Sequence, residues 1–322
     1  MKINHLDLFS GIGGFHKGFQ QAGYKVNSYF SEIDKHAIAV YKNQFKDAEY
    51  VGSVVNLKGD ELPRIDLVTF GSPCQDFSLA GKRKGMSGDR SSLVLEAIRL
   101  ISECRPGVFI WENVKGTFSS NSGEDFAAIL QAFTNIGGYR LEWQLLNTAN
   151  YLPQNRERIY LVGYSTTTKR NWRGVFPIGE SSRKDSIIQG HNPRANTITT
   201  RYTGNANGSF IGECKQPTQE IGDFRSDEGW RPRKDGNCPT LAARAREDGS
   251  GQPLLKGNYH IRRLTPIECE RLQGFPDNHT EYGNYDGEVK KMSNTQRYKQ
   301  CGNAVTVDVV QAIAEKIKPL FK

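Results

Sequence analysis

The stretch "DLFSGIGGF", residues 7–15, decides how this chain is read. A strand-like run, "INHLDLF" (3–9), ends in Gly11, Gly13 and Gly14, and "FHKGFQQAG" (15–23) follows as a helix that closes at Gly23. Glycines at such a turn let the backbone bend sharply and let a ligand approach the helix N-terminus closely. The spacing is G-x-G-G, not the dinucleotide fingerprint G-x-G-x-x-G, so a bound pyrophosphate is not implied. Glu32 closes the next strand-like segment, "KVNSYFSE" (25–32), about where an acidic side chain grips ribose hydroxyls. By themselves these residues fit either a nucleoside site or a tight turn beside a surface glutamate.

Outward from this unit the same alternation continues. "DKHAIAVYKNQF" (34–45) is a helix that Asp34 can cap, and "RIDLVTFG" (64–71) is a third strand. "SSLVLEAIRLISECR" (91–105) is an amphipathic helix, followed by the strand "GVFIWE" (107–112). The helix "GEDFAAILQAFTNIG" (123–137) and the strands "RLEWQLLN" (140–147) and "RIYLVG" (158–163) complete the series. Repeated βα units predict an α/β fold with a mostly parallel, doubly wound sheet.

The pattern breaks between 165 and about 260, which is rich in Gly, Asn, Arg and Pro, with short strand-like pieces. Within it "NTITTRYTGNANGSFI" (196–211) echoes "PTLAARAREDGSGQPLL" (239–255), as two related hairpins would. Order returns at "TPIECERLQGFP" (265–276), which has a Thr cap and a Pro at the first helical position. "AVTVDVVQAIAEKIKPLF" (304–321) has the periodicity of a packed terminal helix. The expected organisation is a first domain over 1–164, an irregular one over 165–261, and a return segment over 262–322 whose last helix packs on the first domain.

Composition narrows the classes. The chain has 322 residues, enough for two domains, and a formal net charge of +8. Its basic residues between 165 and 300 are interleaved with Gly, Asn, Ser and Thr, which reads as a polyanion-binding surface or as a solvated, loop-rich region. No apolar run reaches the roughly eighteen residues of a membrane span. "MKINHLDLFSG" lacks the apolar core of a signal peptide, so a cytoplasmic protein without a membrane partner is expected. Cysteines stand at 74, 104, 214, 238, 269 and 301, with no C-x-x-C pair and no histidine cluster beside them. Neither a metal site nor a disulfide framework is expected.

Four segments can carry chemistry. "SPCQ" (72–75) follows the third strand, at the carboxyl edge where open α/β sheets bind ligands, and Pro73 fixes the approach to Cys74. That cysteine is either a buried small hydrophobe or a nucleophile. Glu112 in "ENV" (112–114) is a solvated turn residue, or a group that protonates a ring nitrogen if it shares the cleft with Cys74. Arg156 and Arg158 stand at the start of the strand in "PQNRERIYLVG" (153–163). "GKRKGMSGDRSS" (81–92) is a basic, glycine-rich loop, either an ordinary connection or a lid over a polyanion.

The segments "DLFSGIGGF", "SPCQDFS", "ENV", "QNRERIYLVG", "RRLTPIECERLQGFP" and "QCGNAV" occur in the order seen in cytosine-5 DNA methyltransferases, and the chain resembles that family over 1–164 and 262–322. The middle region corresponds to the family's target-recognition segment. The resemblance implies the S-adenosylmethionine-dependent methyltransferase fold and a reaction that turns S-adenosyl-L-methionine into S-adenosyl-L-homocysteine. It matches Phe9, Gly11, Gly13 and Gly14 to the cofactor loop, Glu32 to the ribose acid, and Asn303 to the cofactor pocket. Cys74 matches the nucleophile that adds to carbon 6 of cytosine, Glu112 the acid at ring nitrogen 3, and Arg158 the residue near the base's carbonyl oxygen. Arg156 takes a supporting role on the same strand.

Thr240 and Leu241 match the Thr-aliphatic pair of the recognition segment, and Lys82, Arg83, Lys84 and Arg90 of the basic loop are the expected phosphate contacts. Two positions depart from the pattern. Ile33 stands where an aromatic residue often stacks on adenine. Ser53 stands where an acid often meets the adenine amine, with Val54 left for apolar contact. The implied partner is double-stranded DNA, with a cognate restriction endonuclease that forms no stable complex, and a monomer is expected. A relative that methylates tRNA shares the motifs but has a short recognition segment, so the long insertion favours DNA. An inactive DNA-binding protein on the same fold fits less well, because Cys74, Glu112 and Arg158 are all present. A nicotinamide oxidoreductase fails on the glycine spacing.

Overall fold

The strands of the first half send alternate side chains to opposite faces of one sheet, and each face acquires its own helices. The computed structural model describes residues 1–71, 91–167, 174–178, 220–225, 229–233, 235, 237–241, 254–256 and 261–321. Cys74, the basic residues Lys82, Arg83, Lys84 and Arg90, and the 196–211 segment of the internal echo lie outside the described residues, as does most of its partner segment.

The main strands are β1 (Lys2–Leu8), β2 (Lys25–Ser31), β3 (Glu49–Tyr50), β4 (Leu67–Gly71), β5 (Val108–Val114), β6 (Tyr139–Asn147) and, after the short β7 (Gln154–Asn155), β8 (Glu157–Ser165). They form a seven-stranded sheet in the order β3-β2-β1-β4-β5-β8-β6. The pairs among the first five are parallel, while β8 runs antiparallel to both β5 and β6. The mostly parallel α/β sheet is therefore as expected, with one reversed strand.

Ile3, Leu67, Val108, Ile110, Tyr160 and Val162 face one way. They pack with Phe15 and Phe19 of helix α1 (Gly14–Gln21) and with Val309, Val310 and Ile313 of a C-terminal helix at Val307–Ile317. Leu6, Leu8, Val68, Phe70, Phe109, Trp111 and Leu161 face the other way. Helices at Ser91–Cys104 and Glu124–Asn135 cover them, through Ala97, Leu100, Ile101, Phe126, Ile129 and Phe133. In chain order the helices are α1, α2 (Lys35–Gln44), α3 (Ser91–Cys104), α4 (Glu124–Asn135), α5 (Pro266–Leu272), α6 (Asn294–Asn303) and α7 (Val307–Ile317) among the described residues. The first and last helices meet across nearly the whole sequence, and the Tyr24 hydroxyl donates to the Ala314 carbonyl at 2.8 Å.

Local signals account for the helix ends. Asp34 caps α2 through the amides of His36 (2.9 Å) and Ala37 (3.4 Å). Thr265 and Glu268 form a capping box on α5, with Pro266 in the first turn. The irregular region contributes β9 (Glu220–Arg225), β10 (Gly229–Pro232), β12 (Leu254–Lys256) and β13 (Ile261–Arg263) to a second sheet, β10-β9-β12-β13. The intervening β11 (Cys238–Pro239) leaves it to pair in parallel with β7, tying this region to the first domain. A hairpin, β14 (Tyr282–Tyr285) and β15 (Glu288–Lys291), packs on α2. Neither that hairpin nor α6 is anticipated from hydrophobic patterning.

Two buried polar clusters sustain this packing. The Glu270 carboxylate, fully buried, accepts from the amides of Asn278 (2.7 Å) and Thr280 (2.8 Å), from the Thr280 hydroxyl, and from Arg297 Nη2 at 2.9 Å. Arg297 Nε also donates to the Thr280 hydroxyl at 3.0 Å, so α5, α6 and the connection between them share one network. Removing one member of a buried ion pair leaves the other uncompensated. Glu270→Ala is therefore expected to cost about 3–5 kcal/mol in urea unfolding.

The second cluster lies under the glycine turn. Thr69 Oγ1 donates to Asp7 Oδ1 at 2.8 Å, and the Tyr41 hydroxyl donates to Oδ2 at 3.2 Å. Burial outweighs these bonds and pushes the Asp7 carboxyl up to about 8. Between the usual carboxylate value and about 8 the folded chain keeps a proton that the unfolded chain releases, so stability falls as pH rises through that window. Buried His16, lowered to about 3, acts in the opposite sense, because its neutral ring must charge on unfolding below its ordinary value. Asp7→Asn preserves the neutral form. Its stability, followed by chemical denaturation, is expected to decline less than that of the parent from about pH 5 to about pH 8. Parallel curves would remove Asp7 as the source.

Candidate active site

The carboxyl ends of the parallel strands converge on one edge of the sheet, the side on which open α/β folds receive ligands. At the end of β1 the backbone turns through Phe9 (φ 52°), Gly11 (φ 53°) and Gly13 (φ 83°) into α1. A side chain at Gly13 would collide with the Phe45 ring at 2.3 Å. One at Gly14 would meet Val305 Cγ2 at 2.5 Å and the Val305 carbonyl at 2.9 Å. Gly11 differs, since a Cβ there would meet nothing within 4 Å. Gly13 and Gly14 are thus demanded by packing, whereas Gly11 leaves open space at the turn.

Glu32 follows β2 and locks onto this turn. Its Oε2 accepts from the Gly11 amide at 2.9 Å, and its Oε1 accepts from the amides of Ile33 (2.7 Å) and Asp34 (3.0 Å). Ile33 is 79 % exposed beside it, an apolar side chain held in solvent. In the turn after β3, Ser53 is half-buried, and its carbonyl accepts from the amides of Asn56 (3.1 Å) and Leu57 (3.2 Å). Val54 does not offer the apolar contact expected of it. It is only 4 % exposed and belongs to the hydrophobic cluster of Leu57 and Phe70, because the turn directs it at α3. The exposed apolar residue of that turn is Val55, at 57 %. An open glycine, an acid fixed by three amides and an exposed isoleucine fit the ribose hydroxyls and the ring face of a nucleoside.

On the other side of the edge, β4 ends at Gly71, directly paired with Glu112 on β5. A Cβ on Gly71 would stand 3.1 Å from Glu112 Oε2, so the glycine makes room for that carboxyl group. The β5–β8 ladder pairs Glu112 with Tyr160 and Val114 with Arg158, which sets Arg158 diagonally from Glu112. Arg158 Nε lies 3.1 Å from Glu112 Oε1, off the axis of a good hydrogen bond, while Arg158 Nη1 donates to the Glu157 carbonyl at 2.8 Å. Burial pushes the Glu112 carboxyl up, against the opposing pull of Arg158 and Arg156. A buried carboxyl group raised in this way, with an arginine beside it, can hold a proton at a ring nitrogen while the arginine meets a carbonyl.

Arg156 faces elsewhere. Its guanidinium is buried and donates from Nη1 to the Gly302 carbonyl (3.2 Å) and from Nη2 to the Ala304 carbonyl (2.9 Å). It therefore grips the backbone on both sides of the exposed Asn303. Arg158 lines a cleft of about 420 Å³ with Val114, Lys115, Asn155, Arg233 and Thr240. The Thr240 hydroxyl donates to the Asn155 carbonyl at 2.8 Å. Leu241 is 5 % exposed and packs with Ile221, Cys238 and Leu264, so it supports Thr240 from below and is not a surface contact. Lys115, Asn155 and Arg233 are missed by sequence reasoning. The first two sit beside "ENV" and inside "PQNRERIY", and nearness to those motifs is the signal that would have found them.

Among the described cysteines none is poised to react. Burial pushes the thiols of Cys238, Cys269 and Cys301 up, and that of Cys104 up to about 11.

The model of the C-5 cytosine-specific DNA methylase family matches residues 3–319. The Type II methyltransferase M.Bsp6I of Bacillus sp. (strain RFL6) is 35 % identical over 325 residues, covering 96 % of this chain and 96 % of that protein. M1.ScrFI, a Type II methyltransferase of Lactococcus lactis subsp. cremoris, is 35 % identical and covers 98 % of this chain and 78 % of that protein. Among solved structures, the S. pombe Dnmt2 methyltransferase superimposes with a TM-score of 0.68 at 19 % identity, covering 99 % of both chains, which bears on the fold alone. With its family model matched nearly end to end and relatives above the 30 % level covering almost its whole length, this chain belongs to the C-5 cytosine-specific DNA methylases.

Proposed function

We propose that this DNA cytosine-5 methyltransferase takes its methyl group from S-adenosyl-L-methionine and acts on one cytosine, flipped out of double-stranded DNA at a short specific sequence. The observation that carries the reading is the juxtaposition of Glu112 and Arg158, 3.1 Å apart, beside Gly71 and on the same sheet edge as the Glu32–Gly11 contact. The proposed catalytic domain is 1–164, with the target-recognition domain at 165–261 and a return segment at 262–322. In support, the seven-stranded sheet ends at Ser165, and α7 returns to pack on α1.

In the mechanism the thiolate of Cys74 adds to carbon 6 of the extruded ring. Glu112 supports the proton at nitrogen 3, and Arg158 meets the ring carbonyl, so the electron pair arriving from sulfur accumulates at carbon 5. Glu32 holds the ribose hydroxyls of the cofactor, Gly11 leaves room for it, and Ile33 and Val55 supply apolar contact to its base. Bound there, S-adenosylmethionine supplies an electrophilic methyl group for carbon 5. Water then removes the carbon 5 proton, and the bond to Cys74 breaks to restore the aromatic ring. Extruding the base costs a few kcal/mol, which contacts from Thr240 and from Lys82, Arg83, Lys84 and Arg90 offset. The relatives' designation as Type II methyltransferases supports a place as the modification half of a restriction–modification system. Its endonuclease would meet it through shared DNA and not through a stable complex, and the enzyme would act as a cytoplasmic monomer.

Two experiments test this reading. Plasmid DNA from a host without cytosine methylation, expressing the protein, is expected to show bisulfite-resistant cytosines within one short motif, and none when Cys74→Ser is expressed instead. Resistant cytosines in both samples would remove Cys74 as the nucleophile. Glu112→Gln keeps an acceptor but cannot supply the proton, so single-turnover methyl transfer is expected to slow by about 10²–10⁴-fold with unchanged affinity for S-adenosylhomocysteine.

A further inference from the structure

Arg156 is a buried residue of this edge whose charge the proposed mechanism does not use. Its fork spans two backbone carbonyls, and those carbonyls flank a single residue, Asn303, at the end of α6. The last carbonyls of a helix lack intrahelical partners, and a cation there satisfies both their hydrogen bonds and the helix dipole. Burial and the neighbouring Arg158 lower Arg156 only to about 10, so it stays charged at neutral pH.

The gripped segment sits between the two halves of the proposed site. Ala304 packs in the cluster of Ile12, from the glycine turn. Val305 packs with Phe15 of α1, and its carbonyl and side chain lie against Gly14. The same Val305 side chain approaches Gly71, at the strand end that leads to Cys74, to within 3.9 Å of where a Cβ would be. Arg156 itself stands two residues from Arg158 on the chain entering β8.

We propose that Arg156 is a positioning residue that clamps the 302–305 backbone between the glycine turn and the end of β4, so that the strand carrying Arg158 sets the shape of the methyl-donor pocket. Its effect reaches the donor through Asn303 and Val305, not through contact with the base. The inference rests on the reading of the glycine turn as the donor site. Lysine retains the charge but gathers its donors on one nitrogen, so it does not reproduce the two separate Nη contacts of the planar fork.

The test is a double-mutant cycle read as equilibrium affinity for S-adenosylhomocysteine, with duplex-DNA affinity, kcat and Tm measured beside it. Arg156→Lys is expected to weaken S-adenosylhomocysteine binding by about tenfold or more while DNA affinity holds. Asn303→Ala, at an exposed position, is expected to weaken it comparably, and the double variant to be little worse than Asn303→Ala alone, since residues acting through one another are not additive. Additive losses would overturn the proposal. So would unchanged affinity with a lowered kcat, which would put the guanidinium at the base. A parallel fall of both affinities and of Tm in Arg156→Lys and in a second variant, Arg156→Gln, would reduce Arg156 to a support of the fold. Absence of S-adenosylhomocysteine binding by the parent protein would instead sink the reading of the donor site itself.

Discussion

The backbone ladder between β5 and β8 is the constraint on which the rest of the site depends. Its register runs from Val108 opposite Tyr164 to Val114 opposite Arg158, seven consecutive pairs between two buried strands. A slip of one residue would send every side chain of β8 to the other face, so two hydrophobic clusters enforce the register at once. Within that register Glu112 and Arg158 become diagonal neighbours, although 46 positions separate them in the chain. Their charges cost desolvation, as the raised Glu112 carboxyl reflects. The hydrophobic faces on either side of the ladder hold them together against that cost.

The Glu32 side of the edge is built differently. Glu32 is positioned by backbone amides, three of which point at its two oxygens, and no cation among the described residues pairs with it. An acid held this way stays aligned whether or not a ligand is present, and its alignment depends on the conformation of the glycine turn. That turn depends in turn on close approach of Gly13 to Phe45 and of Gly14 to Val305. The two halves of the edge thus meet at residues 302–305, which the last quarter of the chain supplies.

Much of the fold was legible because local signals and burial agree. The Asp34 cap, the Thr265–Glu268 box and the alternation of β1, β4 and β5 are each visible in a short window and are each found. The helix α6 was not legible, since it is strongly polar and is held by the Ser293 cap and the buried Arg297–Glu270 pair, whose members lie 27 positions apart. The β14–β15 hairpin carries an Asp286-Gly287 turn, yet β15 is exposed throughout and shows no alternation to mark it. At the site, residue types predicted position but not direction. The family resemblance located Arg156 and Leu241, while only tertiary packing shows that one turns to the Gly302 and Ala304 carbonyls and the other inward. In the turn of Ser53, the same limit hid that Val54 is buried while Val55 is exposed.

The contact between the first and last helices has a consequence for the birth of the molecule. Phe15 and Phe19 are made roughly 290 residues before Val309, Val310 and Ile313, which cover them. Contacts of such long sequence separation form slowly, and apolar surface exposed meanwhile is open to wrong partners. The glycine turn at the head of α1 needs Val305 for its packing, so its final shape also waits for that distant segment. A nascent chain interrupted before about residue 300 would carry the strands of the central sheet without the residues that pack the glycine turn. Such a partial product would lack the packing that shapes the head of α1, however much of the sheet it had formed.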